Sequence, residues 1–262
     1  MGQAICIKTA IDRIDDIVVK APVAMKMALG ENPKTVYSEK VEAPFTRMAT
    51  AAIIREQLFL AKRYADDIAA AEADVDVELP DFDIKLEALL PVVRGELPVH
   101  FHAHRRDDIF TAIRIAEEFS LKYVIVHGTE GHLCAEKLAE LGAPVMSGPF
   151  LCDRPKPEMR NLTPKAAGIL AESGVRTAII TDHPVIPLQY LPMCAALAVR
   201  EGMSREDALA AITTVPAKML GVYDRVGSLK VGKDADFSVF SEDPISLASK
   251  PDMVYINGVR EV

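Results

Sequence analysis

The chain has 262 residues, 50% of them apolar and 26% charged, enough to bury a large core without help from disulfides. A net charge of −8 with no local cluster of Lys and Arg excludes a nucleic-acid footprint, and no apolar run approaches the length of a membrane span. The four cysteines, Cys6, Cys134, Cys152 and Cys194, lack paired spacing; they fit reduced packing residues in a cytoplasmic protein better than a disulfide framework or a zinc knuckle. Met1 to Lys20 has acids among its apolar residues and no signal-peptide pattern.

Taken in order, residues 11–18 predict a short helix, with apolar side chains three apart. Pro22 to Gly30 reads as a buried strand in which Lys26 is the odd residue. Pro44 to about Ala73 predicts a long amphipathic helix capped by Thr46. An acidic connector from Asp74 to Asp83 follows, then a short helix from Lys85 to Leu90. Pro98 introduces the run Val99-His100-Phe101-His102-Ala103-His104.

From there the pattern is regular. Helices over 107–119, up to Leu141, from Thr163 to Gly174, and over 188–200 alternate with strands ending at His127, Ser147 and Thr181. Ser204-Arg205-Glu206-Asp207 opens a further helix. This alternation predicts βα units and a parallel sheet, and the lack of a Gly-rich phosphate fingerprint after any strand favours a barrel over a doubly wound sheet. From Val222 onward the expectation is a small β segment: turn, strand, turn, strand over 226–240, then a strand and turn over 253–258. The predicted division is therefore 1–221 and 222–262.

In a strand, alternate residues share a face, so His100, His102 and His104 line one side. His127 and Asp182-His183 close or follow other apolar runs, where an α/β fold places its reactive groups. Neutral imidazole and carboxylate suit zinc and related divalent ions, although histidines can also stand in strands as satisfied half-buried residues.

The stretches Val126-His127-Gly128-Thr129-Glu130, Thr181-Asp182-His183-Pro184, residues 214–221 and residues 227–236 together resemble the amidohydrolase superfamily, in its imidazolonepropionase-like and prolidase-like branch. The resemblance covers nearly the whole chain. It implies an α/β fold: a partial TIM-like (β/α) barrel, about its last five strands, with a C-terminal β segment of a composite β-sandwich. It further implies one or two divalent ions, zinc first and manganese or iron as alternatives, used to hydrolyse C–N bonds other than ordinary peptide bonds in a small cyclic or linear amide. His102 and His127 resemble the ligands from the family's fifth and sixth strands. Asp182 resembles the eighth-strand aspartate, a ligand that takes a proton from the attacking water. Lys26 stands where prolidase-like members carry a carboxylated lysine; a strand-end lysine paired with an acid is the equal alternative. His104 and His183, beside these, are the candidates for substrate contact, and His100 reads as structural.

The family's first-strand His-x-His pair is absent. The alternative expectation is accordingly a truncated or inactive amidohydrolase-like subunit, which would need a homo-oligomer or a partner chain carrying the missing strands.

Overall fold

Strand β1 (Gly2–Ile7) and strand β2 (Val18–Ala28) form an antiparallel pair, joined through the short helix α1 (Ile14–Ile17). The computed structural model describes residues 2–10, 12–40 and 42–261, so the predicted helix start at Ile11 lies outside the described residues. β2 begins four residues before the predicted Pro22. The proline, which cannot donate to a ladder, is accommodated because the β1 register shifts between Ala4 and Ile7, opposite the stretch 18–24.

The C-terminal end of β2 leads into α2 (Glu31–Ser38) and then α3 (Arg47–Ala73), whose N-terminus is capped by Thr46 Oγ1 accepting from the Ala49 amide. Helix α3 buries Ala51, Ile54, Leu58 and Ala61, residues spaced three and four apart, against α4 (Ile84–Val93) and the sheet. Five parallel strands then stand side by side: β2, β3 (Val99–Ala103), β4 (Tyr123–His127), β5 (Val145–Ser147) and β6 (Thr177–Ile179). Their crossovers contain α5 (Arg106–Glu118), α6 (Ala135–Glu140) and α7 (Ala166–Glu172). Helices α8 (Leu191–Arg200), α9 (Arg205–Ala211) and α10 (Thr214–Met219) follow. This is the partial barrel expected from the sequence, extended at one edge by the antiparallel β1 that sequence reading did not anticipate.

The two faces of the sheet divide by residue parity. Met25, Met27, Val99, Phe101, Ala103 and Ile125 point toward the helices and join one core with Ile109, Ala112 and Leu138. The opposite parity faces the barrel interior: Lys26 lies beside His100, Ala28 beside His102, and His102 beside Val126. On that side Val124, Val126, Met146 and Ala178 pack against Val215, Met219 and Leu220 at α10. A third cluster joins α7, α8 and α9 around Cys194 and Ala195.

The small C-terminal sheet contains β7 (Phe237–Val239), β8 (Met253–Ile256) and β9 (Val259–Arg260). Only one of the two strands predicted over 226–240 forms. Residues 226–236, with Gly227 and Gly232 at positive φ, turn instead, because their Gly- and Lys-rich alternation gives no buried face for a ladder. The buried Lys8, just beyond β1, ties this segment to the rest by ion pairs to Asp234 at 2.7 Å and Asp236 at 3.0 Å. Among the described residues no helix is long and apolar enough to cross a membrane.

Candidate metal centre

The C-terminal end of β3 brings two histidines to the barrel interior, and β4 brings the third by breaking its own alternation. His127 shares the parity of Tyr123 and Ile125, whose side chains pack toward the helices, so an unbroken strand would send it outward. Its φ of 74° turns it inward. The imidazoles of His102, His104 and His127 consequently meet, with ring centroids 4.5–4.8 Å apart. One ligand atom from each lies within 4.8 Å of the others, and all three residues are buried.

Local bonds fix the rings. His127 Nδ1 donates to the Gly148 carbonyl at 2.9 Å, which leaves Nε2 as the lone-pair nitrogen. Gly148 has φ 138° and lies so close to the next strand that a Cβ would stand 2.1 Å from the Ile180 carbonyl oxygen, so glycine is required there. His104 Nδ1 is 2.7 Å from Thr129 Oγ1. The Nε2 atoms of His100, His102 and His104 are buried without a hydrogen-bond partner.

Burial holds all of these imidazoles neutral. It lowers His100 to about 4, with Lys26 adding to the effect, and His104 to about 3, with His127 and Lys156 adding to it. His102 and His127 are also pushed down by burial; the nearby Asp182 carboxylate opposes the shift at His127. Neutral, inward-facing, unpartnered imidazole nitrogens are the ligand form that a divalent cation needs, so the residues present fit a metal.

The remaining predicted residues are placed as follows. Lys26 lies half-buried on the interior face in register with His100, its ammonium weakened by burial and partly supported by Asp182. Asp182 is exposed on the turn after β6, with φ 52°, and acts electrostatically on both His127 and Lys26. His183 is exposed on the same turn. His104, expected beside the ligands, shares the cluster with His102 and His127, whereas Asp182, Lys26 and His183 lie outside that tight group.

Three residues to which the sequence assigned no role, two of them in the stretch 126–130, complete the surroundings. Glu130 accepts from the Arg106 amide at 2.9 Å and the Asn161 amide group at 2.7 Å, so it caps α5, whose N-terminus has no side-chain cap from Arg105. Thr129 orients His104 as described. Glu158, in a short turn after β5, is 1% exposed and sits 3.8 Å from His104. A lone acid in a proline-rich loop carries no sequence signal. A cavity of about 910 Å3 between β1, α2, α3 and α4 is lined by none of the three clustered histidines.

A half-barrel of parallel strands with buried histidines at their C-terminal ends is the arrangement in which (β/α)-barrel enzymes build their sites. The chain belongs to the amidohydrolase family, whose model matches residues 92–260. It is similar over its whole length to an amidohydrolase from Thermotoga maritima MSB8, at 44% identity and a TM-score of 0.95, and it covers 68% of that chain. It is 30% identical over 283 aligned residues to the amidohydrolase tasK of Hapsidospora irregularis, covering 99% of this chain and 29% of that protein. Over 94 residues, 34% of this chain, it is 40% identical to an imidazolonepropionase of Cupriavidus pinatubonensis (strain JMP 134 / LMG 1197), of which it spans 21%. The chain thus spans less than a third of these curated relatives.

Proposed function

We propose that this chain carries the metal-binding part of a hydrolase that cleaves a C–N bond in a small cyclic or linear amide. One observation carries the reading: three buried, neutral imidazoles converge at the end of a barrel where substrate-facing loops begin. His102 and His127 hold the ion, with His104 at the same cluster. A divalent ion there, zinc first and manganese or iron next, would lower the pKa of a bound water and polarise the amide oxygen.

The protein's own groups do the rest. The Gly148 carbonyl holds His127 in the tautomer that faces the site. Asp182, exposed and electrostatically coupled to His127, accepts the proton that water loses as its oxygen bonds to the amide carbon. The same carboxyl returns a proton to the departing nitrogen, so water plus amide becomes carboxylic acid plus amine. His183 contacts the substrate from the same turn. Lys26, if carboxylated, would supply carboxylate oxygens for a second ion.

The four free cysteines fit a reducing, cytoplasmic setting. The outer strands β1 and β6 leave two sheet edges, which a second copy or a chain supplying further strands would cover. Elemental analysis of the purified chain and of its His102→Ala and His127→Ala variants tests the centre. Near-stoichiometric metal that falls in both variants is the expected result; a metal-free parent overturns it. Hydrolysis of a panel of cyclic and linear amides by the loaded chain separates an enzyme from an inactive subunit of the same fold.

A further inference from the structure

Lys156 is a cation held at the histidine cluster with no acid paired to it. It stands between Pro155 and Pro157, whose rings restrict the backbone on either side. Its φ of −123° and ψ of 143° are the extended conformation that a residue before proline prefers. The loop is also pinned around it. Arg154 Nη2 donates to the Leu162 carbonyl at 2.8 Å, and Glu158 Oε2 accepts from the Glu31 amide at 2.8 Å. The backbone that carries the lysine is thereby fixed near His104, whose Nε2 is 3.8 Å from Glu158 Oε1.

The half-buried Lys156 side chain places its charge close to the barrel interior: the ammonium acts electrostatically on His102, His104 and His127, and on Glu158. Among the described residues its Nζ makes no hydrogen bond and no ion pair within 4.0 Å. The nearby acids are committed elsewhere. Glu158 pairs with Arg47 at 3.4 Å, and Asp182 acts on His127 and Lys26. A positive charge beside a cation site weakens metal binding, so Lys156 works against the ion until a charge of opposite sign joins them. An anionic group on the substrate is such a charge, and an ammonium partly shielded from water makes a charge-assisted hydrogen bond to it.

We infer that Lys156 is a specificity-determining residue that binds a carboxylate carried by the substrate, so the amide hydrolysed here belongs to an acid such as an N-acyl amino acid. This rests on the metal-centre reading above and names a substrate class for it. It holds whether or not Lys26 is carboxylated, because Lys156 is a separate cation. Lys156 enters from the loop after β5 and Asp182 from the turn after β6, the adjacent strand. The group that holds the substrate's charge and the carboxyl that handles protons therefore lie on neighbouring loops.

The test is calorimetric binding to the zinc-loaded whole chain, with zinc affinity followed separately by competition with a chromophoric chelator. The probes are levulinate, a keto acid shaped like N-acetylglycine with a methylene replacing the scissile NH, and the corresponding uncharged keto alcohol. The parent should bind the acid about tenfold or more tightly than the alcohol. Lys156→Met should lose most of that preference while holding zinc at least as tightly as the parent, because a repelling charge is gone. Lys156→Gln carries the test if the Met variant does not fold, and Lys156→Arg should keep the preference. An undiminished preference in a folded, zinc-loaded Lys156→Met variant overturns the proposal, since the carboxylate then sits on the ion. A parent without any preference overturns it too, and so does a fall in zinc affinity in the Met variant, which would mark Lys156 as structural. All three leave the histidine centre standing, whereas no zinc binding by the parent overturns both.

Discussion

At the scale of single residues, the site depends on side chains kept uncharged inside the barrel. His100 and His104 have folded values of about 4 and about 3, against an ordinary imidazole value of 6.5. Between 6.5 and those values the unfolded chain binds more protons than the folded one, so stability rises with pH through this window. Each group contributes a slope of up to ~1.4 kcal/mol per pH unit. Burial raises Glu158 and Asp108 and so works in the opposite sense, but two carboxyls stand against four imidazoles. The metal-free protein should therefore keep a flat Tm above about pH 7 and lose stability steadily as pH falls from 6.5 toward 4. Calorimetry across that range checks it, and a Tm that holds level down to pH 5 would contradict the buried, neutral imidazoles. Gly148 provides a second residue-scale prediction. With a backbone φ of 138° and a Cβ that would meet the Ile180 carbonyl at 2.1 Å, Gly148→Ala should destabilise by about 2 kcal/mol or more and weaken the bond that orients His127. Denaturant melts and metal affinity should both fall; a variant of parental stability would refute the close approach.

At the scale of elements, two cations, Lys8 and Arg225, tie the N-terminal hairpin to the segment that leads into the small C-terminal sheet. Lys8 is nearly fully buried while Asp234 and Asp236 keep 21% and 26% of their side chains exposed. Arg225 also binds Asp234, at 2.8 Å, so the acids retain partial compensation when the lysine is removed. Lys8→Met should therefore destabilise by only about 1–2 kcal/mol, below the range for a fully buried pair. Limited proteolysis should find cleavage within 226–260 well before global unfolding, and uniform resistance would argue against this tie. This contact also marks where sequence reading stopped short. Elements with their own periodicity or caps, such as α3 behind Thr46 and β3 with its alternate histidines, were legible because the signal is local. β1 was not: Gly2–Ile7 has mixed burial, and what makes it a strand is its pairing with β2. His127 was legible as a strand end, but not the left-handed turn that swings it onto His102. Glu158 was illegible because its meaning lies in Arg47, Gly30 and His104, residues 54 to 128 positions away in the chain.

At the scale of the whole molecule, a cation at the histidine cluster would act as a cross-link that the unfolded chain lacks. His102 and His104 stand at the end of β3 and His127 at the end of β4, so an ion held by the three would join two neighbouring βα units at the middle of the sheet. A ligand that binds the folded state alone stabilises by about 2.7 kcal/mol when present at a hundred times its Kd. For a chain of this size each kcal/mol moves Tm by roughly 2–4 °C, so zinc at that excess should raise Tm by roughly 5–10 °C, and a chelator should reverse it. The acid sensitivity predicted above should shrink in parallel, because ions and protons compete for the same nitrogens. A variant carrying both His102→Ala and His127→Ala separates this from adventitious binding at surface acids: it should melt at one temperature with or without zinc. If the variant gains as much as the parent, the ion is binding elsewhere and the histidines are core residues; if neither gains, the half-barrel holds its imidazoles together without an ion.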